Sequence, residues 1–238
     1  MSSEYIILQD TPHVETQAWE ASVEAPTRKL TIALAKPETA HPDSGFLTPN
    51  AVRTLTDQQV KVFAQFGLAN HNPFSDADYA DAGAEFTHHY ADLALLSNLI
   101  LKFDAFTLDQ IALSKENQIL FSVLSPENLS PEYIEAVNEK KITMICLDLL
   151  QNDDGIPVID KIRKETLSEA GFQIALSNYV LPLIDTLVHA PSIAYALQHE
   201  PELMPAVFCH SGSLCHKQTA ENLHLPWCDI LSLCWNLN

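Results

Sequence analysis

Residues 98–150 read NLILKFDAFTLDQIALSKENQILFSVLSPENLSPEYIEAVNEKKITMICLDLL, three apolar runs separated by two helical segments with their own start signals. Asn98 to Phe103 (NLILKF) and Gln118 to Leu124 (QILFSVL) are short and apolar, which predicts strands. Ile142 to Leu150 (ITMICLDLL) is almost unbroken in its apolar character, the pattern of a strand covered on both faces. Between them, Thr107 starts a helix through Leu108 and Ile111. Ser130-Pro131-Glu132 starts another, running to Lys140 and Lys141, whose charges suit a helix C-terminus. Strand and helix alternating through short links specify a parallel α/β sheet with right-handed crossovers and helices on both faces, a flavodoxin- or Rossmann-like three-layer domain.

The same alternation extends upstream. Leu30 to Lys36 reads as a buried strand closed by Pro37, and Thr48-Pro49 opens a helix with Val52 and Leu55 on one face. Val60 to Phe66 reads as a strand, and Ser75 caps an acidic-started helix that stops at Gly83. Downstream, Asp153-Asp154-Gly155 turns the chain. Lys164 to His189 carries helical spacing throughout, predicting one long helix strained at Pro182. A short strand at Ala206 to Cys209, a helix from Lys217 to His224 and an apolar tail through Trp235 follow. Residues 1–29 lack lasting periodicity and are broken by Pro12 and Pro26, so they read as an extension preceding one domain over residues 30–238.

Composition narrows the function classes. The 238 residues are 47% hydrophobic, enough to fill a core, and 31 Asp and Glu against 13 Lys and Arg give a formal charge of −18. Such a chain repels nucleic acid and anionic lipid, so neither is an expected partner. No run of 18 apolar residues and no basic, apolar export signal is present, and five cysteines are an odd count. A cytoplasmic protein with reduced thiols is the expectation.

The chemistry-bearing residues are sparse. Six single glycines offer no G-x-G-x-x-G turn and no P-loop, and no G-x-S-x-G elbow occurs. His199, Cys209, His210, Cys215, His216, His224, Cys228 and Cys234 gather near the end, yet the cysteines stand six or more apart, unlike the close pairs of structural zinc sites. No metal is expected. His88-His89, beside Asp76, Asp78, Asp81 and Glu85, fits a solvated helix face. Lys102 ends an apolar strand, where parallel α/β sheets build their sites, although a snorkelling surface lysine has the same signature.

A colinear series of segments resembles the N-terminal substrate domain of alanine dehydrogenase and pyridine nucleotide transhydrogenase. They are Ile32 to Lys36 with Pro37-Glu38, Leu47-Thr48-Pro49, Phe74-Ser75-Asp76-Ala77-Asp78-Tyr79 with Ala82-Gly83-Ala84, Leu99-Ile100-Leu101-Lys102, Gln118-Ile119-Leu120-Phe121, Glu139 to Thr143, Gln151 through Pro157, and Leu167-Ser168-Glu169-Ala170-Gly171. The resemblance implies an NAD-dependent oxidoreductase in which a coenzyme-binding Rossmann domain follows. Here Ala175 to Pro182 already resembles the helix that returns from that domain, which places a missing domain at residues 172–175. The resemblance also implies that three substrate-handling groups are replaced: a carboxylate-clamping arginine by Ser44, a substrate lysine by Asp104 and a catalytic histidine by Ser125.

The expected pocket remnants are therefore Ser44, Lys102, Asp104, Ser125 and Asp148, with no catalytic residue. No cofactor is expected, NAD entering only if another chain supplies its domain. A stand-alone binding, regulatory or interaction domain is the first expectation, and a half-enzyme completed by another chain the second. A second copy or a protein partner would cover the face left bare, near Phe172, Tyr179, Leu183 and Trp235.

Overall fold

The computed structural model describes residues 30–38, 45–69, 73–151 and 155–235, so Ser44 and the predicted extension lie outside the described residues. In chain order the elements begin β1 (Ile32–Leu34), α1 (Pro49–Asp57), β2 (Val62–Gln65), α2 (Asp76–Asp81), β3 (Glu85–Thr87), α3 (Tyr90–Leu96) and β4 (Leu99–Lys102). They continue with α4 (Leu108–Leu113), β5 (Ile119–Ser122), α5 (Pro131–Glu139), β6 (Thr143–Cys146), α6 (Val158–Glu165) and α7 (Glu169–His189). The last are α8 (Ile193–His199), β7 (Val207–His210), β8 (Ser213–Leu214), α9 (Lys217–Leu223) and α10 (Ile230–Trp235).

These strands form one sheet in the order β3-β2-β1-β4-β5-β6-β7-β8. The six from β3 to β6 are parallel, whereas β7 and β8 pair antiparallel, so the sheet is mixed rather than wholly parallel. The β7–β8 hairpin turns through Ser211 (φ 50°) and Gly212 (φ 81°), two left-handed residues in succession as a type I′ turn requires. A two-residue turn can only reverse the chain, so β8 runs back against β7 and β7 alone opposes the direction of the other strands.

Side chains alternate across the sheet and feed two cores. Ile32, Leu34, Leu99, Leu101, Phe121 and Ile145 face one side, under α1 and α7. Ala33, Ile100, Leu120, Met144 and Cys146 face the other, under α3, α4 and α5. The strand order reverses between β1 and β4, so the crevice above their carboxyl ends is the topological switch point where open α/β sheets place ligands.

Three expectations change. The predicted helix from Lys164 divides: Thr166 Oγ1 donates to the Ile162 carbonyl at the end of α6, and Ser168 Oγ accepts from Gly171 N to start α7 afresh. Both caps are hydroxyl residues inside a periodic stretch, and periodicity alone does not reveal the break. α7 then runs 21 residues through Pro182, which sits on its exposed side. By length and composition it could cross a bilayer, but half of its most apolar window is buried in the protein, as in a core helix. His88 and His89 are not on a helix face: they follow the edge strand β3, and His88 stacks on Phe66 at 4.4 Å. Finally, Phe172 and Leu183 are both 3% exposed and belong to this chain's own core, so they are no bare face for a partner.

Candidate functional site

The switch-point crevice is occupied by the protein's own side chains. β4 ends on Lys102, whose side chain is wholly buried on the α4 side of the sheet. A buried ammonium must find acceptors for its three protons, and this one does. Lys102 Nζ donates to the Ala105 carbonyl at 3.0 Å and to Gln110 Oε1 at 2.8 Å, and pairs with Asp104 Oδ1 at 2.9 Å. Glu38 Oε1 lies 3.7 Å away, and the Phe106 ring is 5.6 Å from the ammonium.

The surrounding loops hold this cage in place. Gln110 belongs to a capping box with Thr107 at the start of α4: its backbone N–H donates to Thr107 Oγ1, and its Oε1 accepts from Thr107 N. Gln110 Nε2 in turn donates to Glu38 Oε1 at 2.9 Å. Glu38 N donates to Asp104 Oδ2 at 2.7 Å, stitching the loop after β1 to the loop after β4 across the switch point. One cation thus faces two carboxylates, the opposite of a site that receives a carboxylate substrate.

On the opposite face, beneath α7, the space is filled by aromatic rings. Phe46 lies 5.5 Å from Phe103 and 5.2 Å from Phe121, centroid to centroid. The cavity left among Gly45, Phe46, Tyr79, Leu101 and Phe103 measures about 10 Å³, room for about one water. A buried polar seam fixes this wall. Thr48 N donates to Ser177 Oγ at 3.0 Å, Tyr79 Oη donates to the Leu47 carbonyl at 2.7 Å, and Gln173 Nε2 donates to Tyr79 Oη at 3.1 Å.

The remaining expected residues stand apart from the cage. Ser125 is exposed ahead of a short 3-10 turn, with no side-chain hydrogen bond to that turn. Asp148 follows β6, where Cys146 Sγ contacts its Oδ2 at 3.8 Å and donates to the Leu124 carbonyl at 3.4 Å. Burial pushes the Asp148 carboxyl up to about 6 and the Cys146 thiol up to about 12. Lys102 and Asp104 are therefore brought together, while neither Ser125 nor Asp148 joins them. Glu38, Gln110 and Phe106 complete the site without having been singled out. The Thr107-x-x-Gln110 spacing was the one legible signal.

Among its described residues, the first βα turn offers no cradle for the pyrophosphate of a nicotinamide coenzyme. A pyrophosphate needs free backbone N–H groups at a helix N-terminus, but α1 begins with Pro49, and Thr48 Oγ1 already accepts from Ala51 N. Residues 172–175 lie inside the uninterrupted helix α7. Among the described residues, no three His, Cys, Asp or Glu side chains come together in a way that could hold a metal ion. Cys146 and Cys209 are buried in the core.

The family model for the alanine dehydrogenase/PNT N-terminal domain matches residues 46–162. The chain is 29% identical over 116 residues to alanine dehydrogenase from Methanococcus maripaludis, covering 48% of this chain and 30% of that protein. Similar solved structures include an L-alanine dehydrogenase (TM-score 0.47, 20% identity, 55% of this chain and 36% of that one). Another is the transhydrogenase from Sinorhizobium meliloti (TM-score 0.43, 20% identity, 50% and 36%). The match thus spans about a third of each relative's length. Over residues 46–162, this chain is a member of the alanine dehydrogenase/PNT N-terminal domain family.

Proposed function

We propose that this chain is a catalytically incomplete relative of alanine dehydrogenases and transhydrogenases, acting in the cytoplasm as a stand-alone binding, regulatory or interaction domain. The observation that carries the reading is the closed switch-point crevice. Hydride transfer needs a coenzyme held against a substrate carbon with an acid/base group in reach. Here the strand-end lysine is enclosed by Asp104, Gln110 and Glu38 on one face of the sheet, and the cavity on the other face, beneath α7, is water-sized.

The purified chain is tested by following NADH formation from NAD and L-alanine, and by thermal unfolding with NAD, L-alanine and pyruvate. No turnover and no change in Tm are expected, because a ligand that binds only the native state must raise its stability. NADH formation by the chain alone would overturn the reading.

One feature favours a second reading, in which a coenzyme-binding domain on another chain completes a half-enzyme. A groove of about 620 Å³ lies along Arg163, Thr166, Leu167, Ser168 and Phe172, where the resemblance places the entry to that domain. Leu167 is fully exposed beside it. NADH formation that appears only when such a chain is added would select this reading over the first.

A further inference from the structure

We propose that a second cavity, at the amino-terminal ends of the central strands, binds a neutral nitrogen heterocycle of nucleobase or nucleoside size. It lies at the opposite end of the sheet from the Lys102 cage and does not depend on the reading above. The cavity measures about 300 Å³, at the lower bound of the usual range for small-molecule sites.

Its floor is polar and pre-set. Asn98 precedes β4, and its Oδ1 accepts from both Thr31 N (3.2 Å) and Thr31 Oγ1 (3.1 Å). Those bonds fix which way the amide points and leave Nδ2 as a donor with no protein partner among the described residues. His210, at the end of β7, is held through Nδ1 by the Thr143 hydroxyl at 2.9 Å, leaving Nε2 for a ligand. Asn117 adds a second carboxamide.

The roof is apolar, from Ile193 at the start of α8 and Leu233 in α10. Apolar contact on one side and fixed amide and imidazole groups on the other suit a heterocycle with in-plane donors and acceptors.

Charge decides against an anion. The one cation at the rim, Lys141, is paired with Glu116 at 2.5 Å, and burial lowers the His210 pKa and favours the neutral ring. The lining presents no unpaired positive charge, and the whole chain carries −18. An uncharged ligand is what remains.

The full chain is titrated by thermal unfolding with adenosine, inosine, cytidine and uridine, with L-alanine and pyruvate in parallel to report on the opposite end of the sheet. At least one nucleoside is expected to raise Tm by about 3–5 °C at about ten times its Kd, saturating as a single site. Ala194→Trp, at a half-buried position lining the cavity next to Ile193, is expected to fill it and abolish that shift while the circular dichroism spectrum is unchanged. Should that variant fail to fold, Thr143→Val, which frees the His210 ring, is expected to weaken binding at least about fivefold. The proposal is overturned if none of the four nucleosides raises Tm by more than about 1 °C at about 5 mM, or if a shift survives the cavity-filling variant.

Discussion

At the scale of single residues, a buried ammonium and a half-buried carboxyl dominate. The Lys102 ammonium is tolerated because three acceptors surround it, and Asp104 depends on it in turn. Lys102→Met is therefore expected to destabilise the fold by about 3–5 kcal/mol in urea unfolding, since it leaves carboxylates without their cation. Adding Asp104→Asn to that variant is expected to restore at least about 1 kcal/mol. A single substitution costing under about 1 kcal/mol would mean that the cage is solvated. Asp148 acts in the opposite sense, because burial raises its carboxyl from 3.8 to about 6. Between those values the native state holds a proton that the unfolded chain has released. Its contribution to stability is complete below about pH 4 and is lost as pH rises through about 6. Asp148→Asn is thus expected to stabilise the protein at pH 7.5 by about 1–2 kcal/mol relative to its effect at pH 4, as measured by denaturant unfolding at both values. An equal effect at the two pH values would place the carboxylate in water.

At the scale of elements, α7 is the strut of the α1-side layer, and its grip on α1 is polar. Ser177 Oγ is the acceptor for the buried Thr48 N–H, so Ser177→Ala leaves that donor unsatisfied and is expected to cost about 1–3 kcal/mol by chemical denaturation. Exposed Asn178→Ala on the same helix is expected to change stability by less than about 0.5 kcal/mol. The central parallel strands were legible because each is apolar on both faces, as Leu99, Ile100 and Leu101 show with 1% exposure or less. β3 was not, because Glu85, Phe86 and Thr87 form a three-residue edge strand with no buried residue. α6 escaped notice because its apolar positions, Val158, Ile159 and Ile162, are set among Asp160, Lys161, Arg163, Lys164 and Glu165. For the site, the sequence placed Lys102 at a strand end but not its burial. That depends on Glu38 and Gln110, which are 64 and 8 residues away in sequence and meet only across the switch point.

At the scale of the whole molecule, charge and apolar surface pull against each other. A net −18 opposes association of two copies, most strongly at low salt, where screening reaches farthest. Yet Leu167, in the groove at the α6–α7 junction, is fully exposed, and Ile174, on the outward side of α7, is 45% exposed. Exposed apolar side chains on one stretch of surface, one of them in a groove, are the usual mark of an association site. A homodimer formed through this face would bring like charges together around an apolar centre, so its affinity should rise with salt. Light scattering is expected to give a dimer mass at about 0.3 M NaCl and a lower average mass at about 0.02 M. Leu167→Glu is expected to hold the chain monomeric at both, because it adds charge at the centre of the contact without touching the core. A monodisperse monomer at both salt concentrations would exclude self-association and leave this face, if it is an interface, to a different protein.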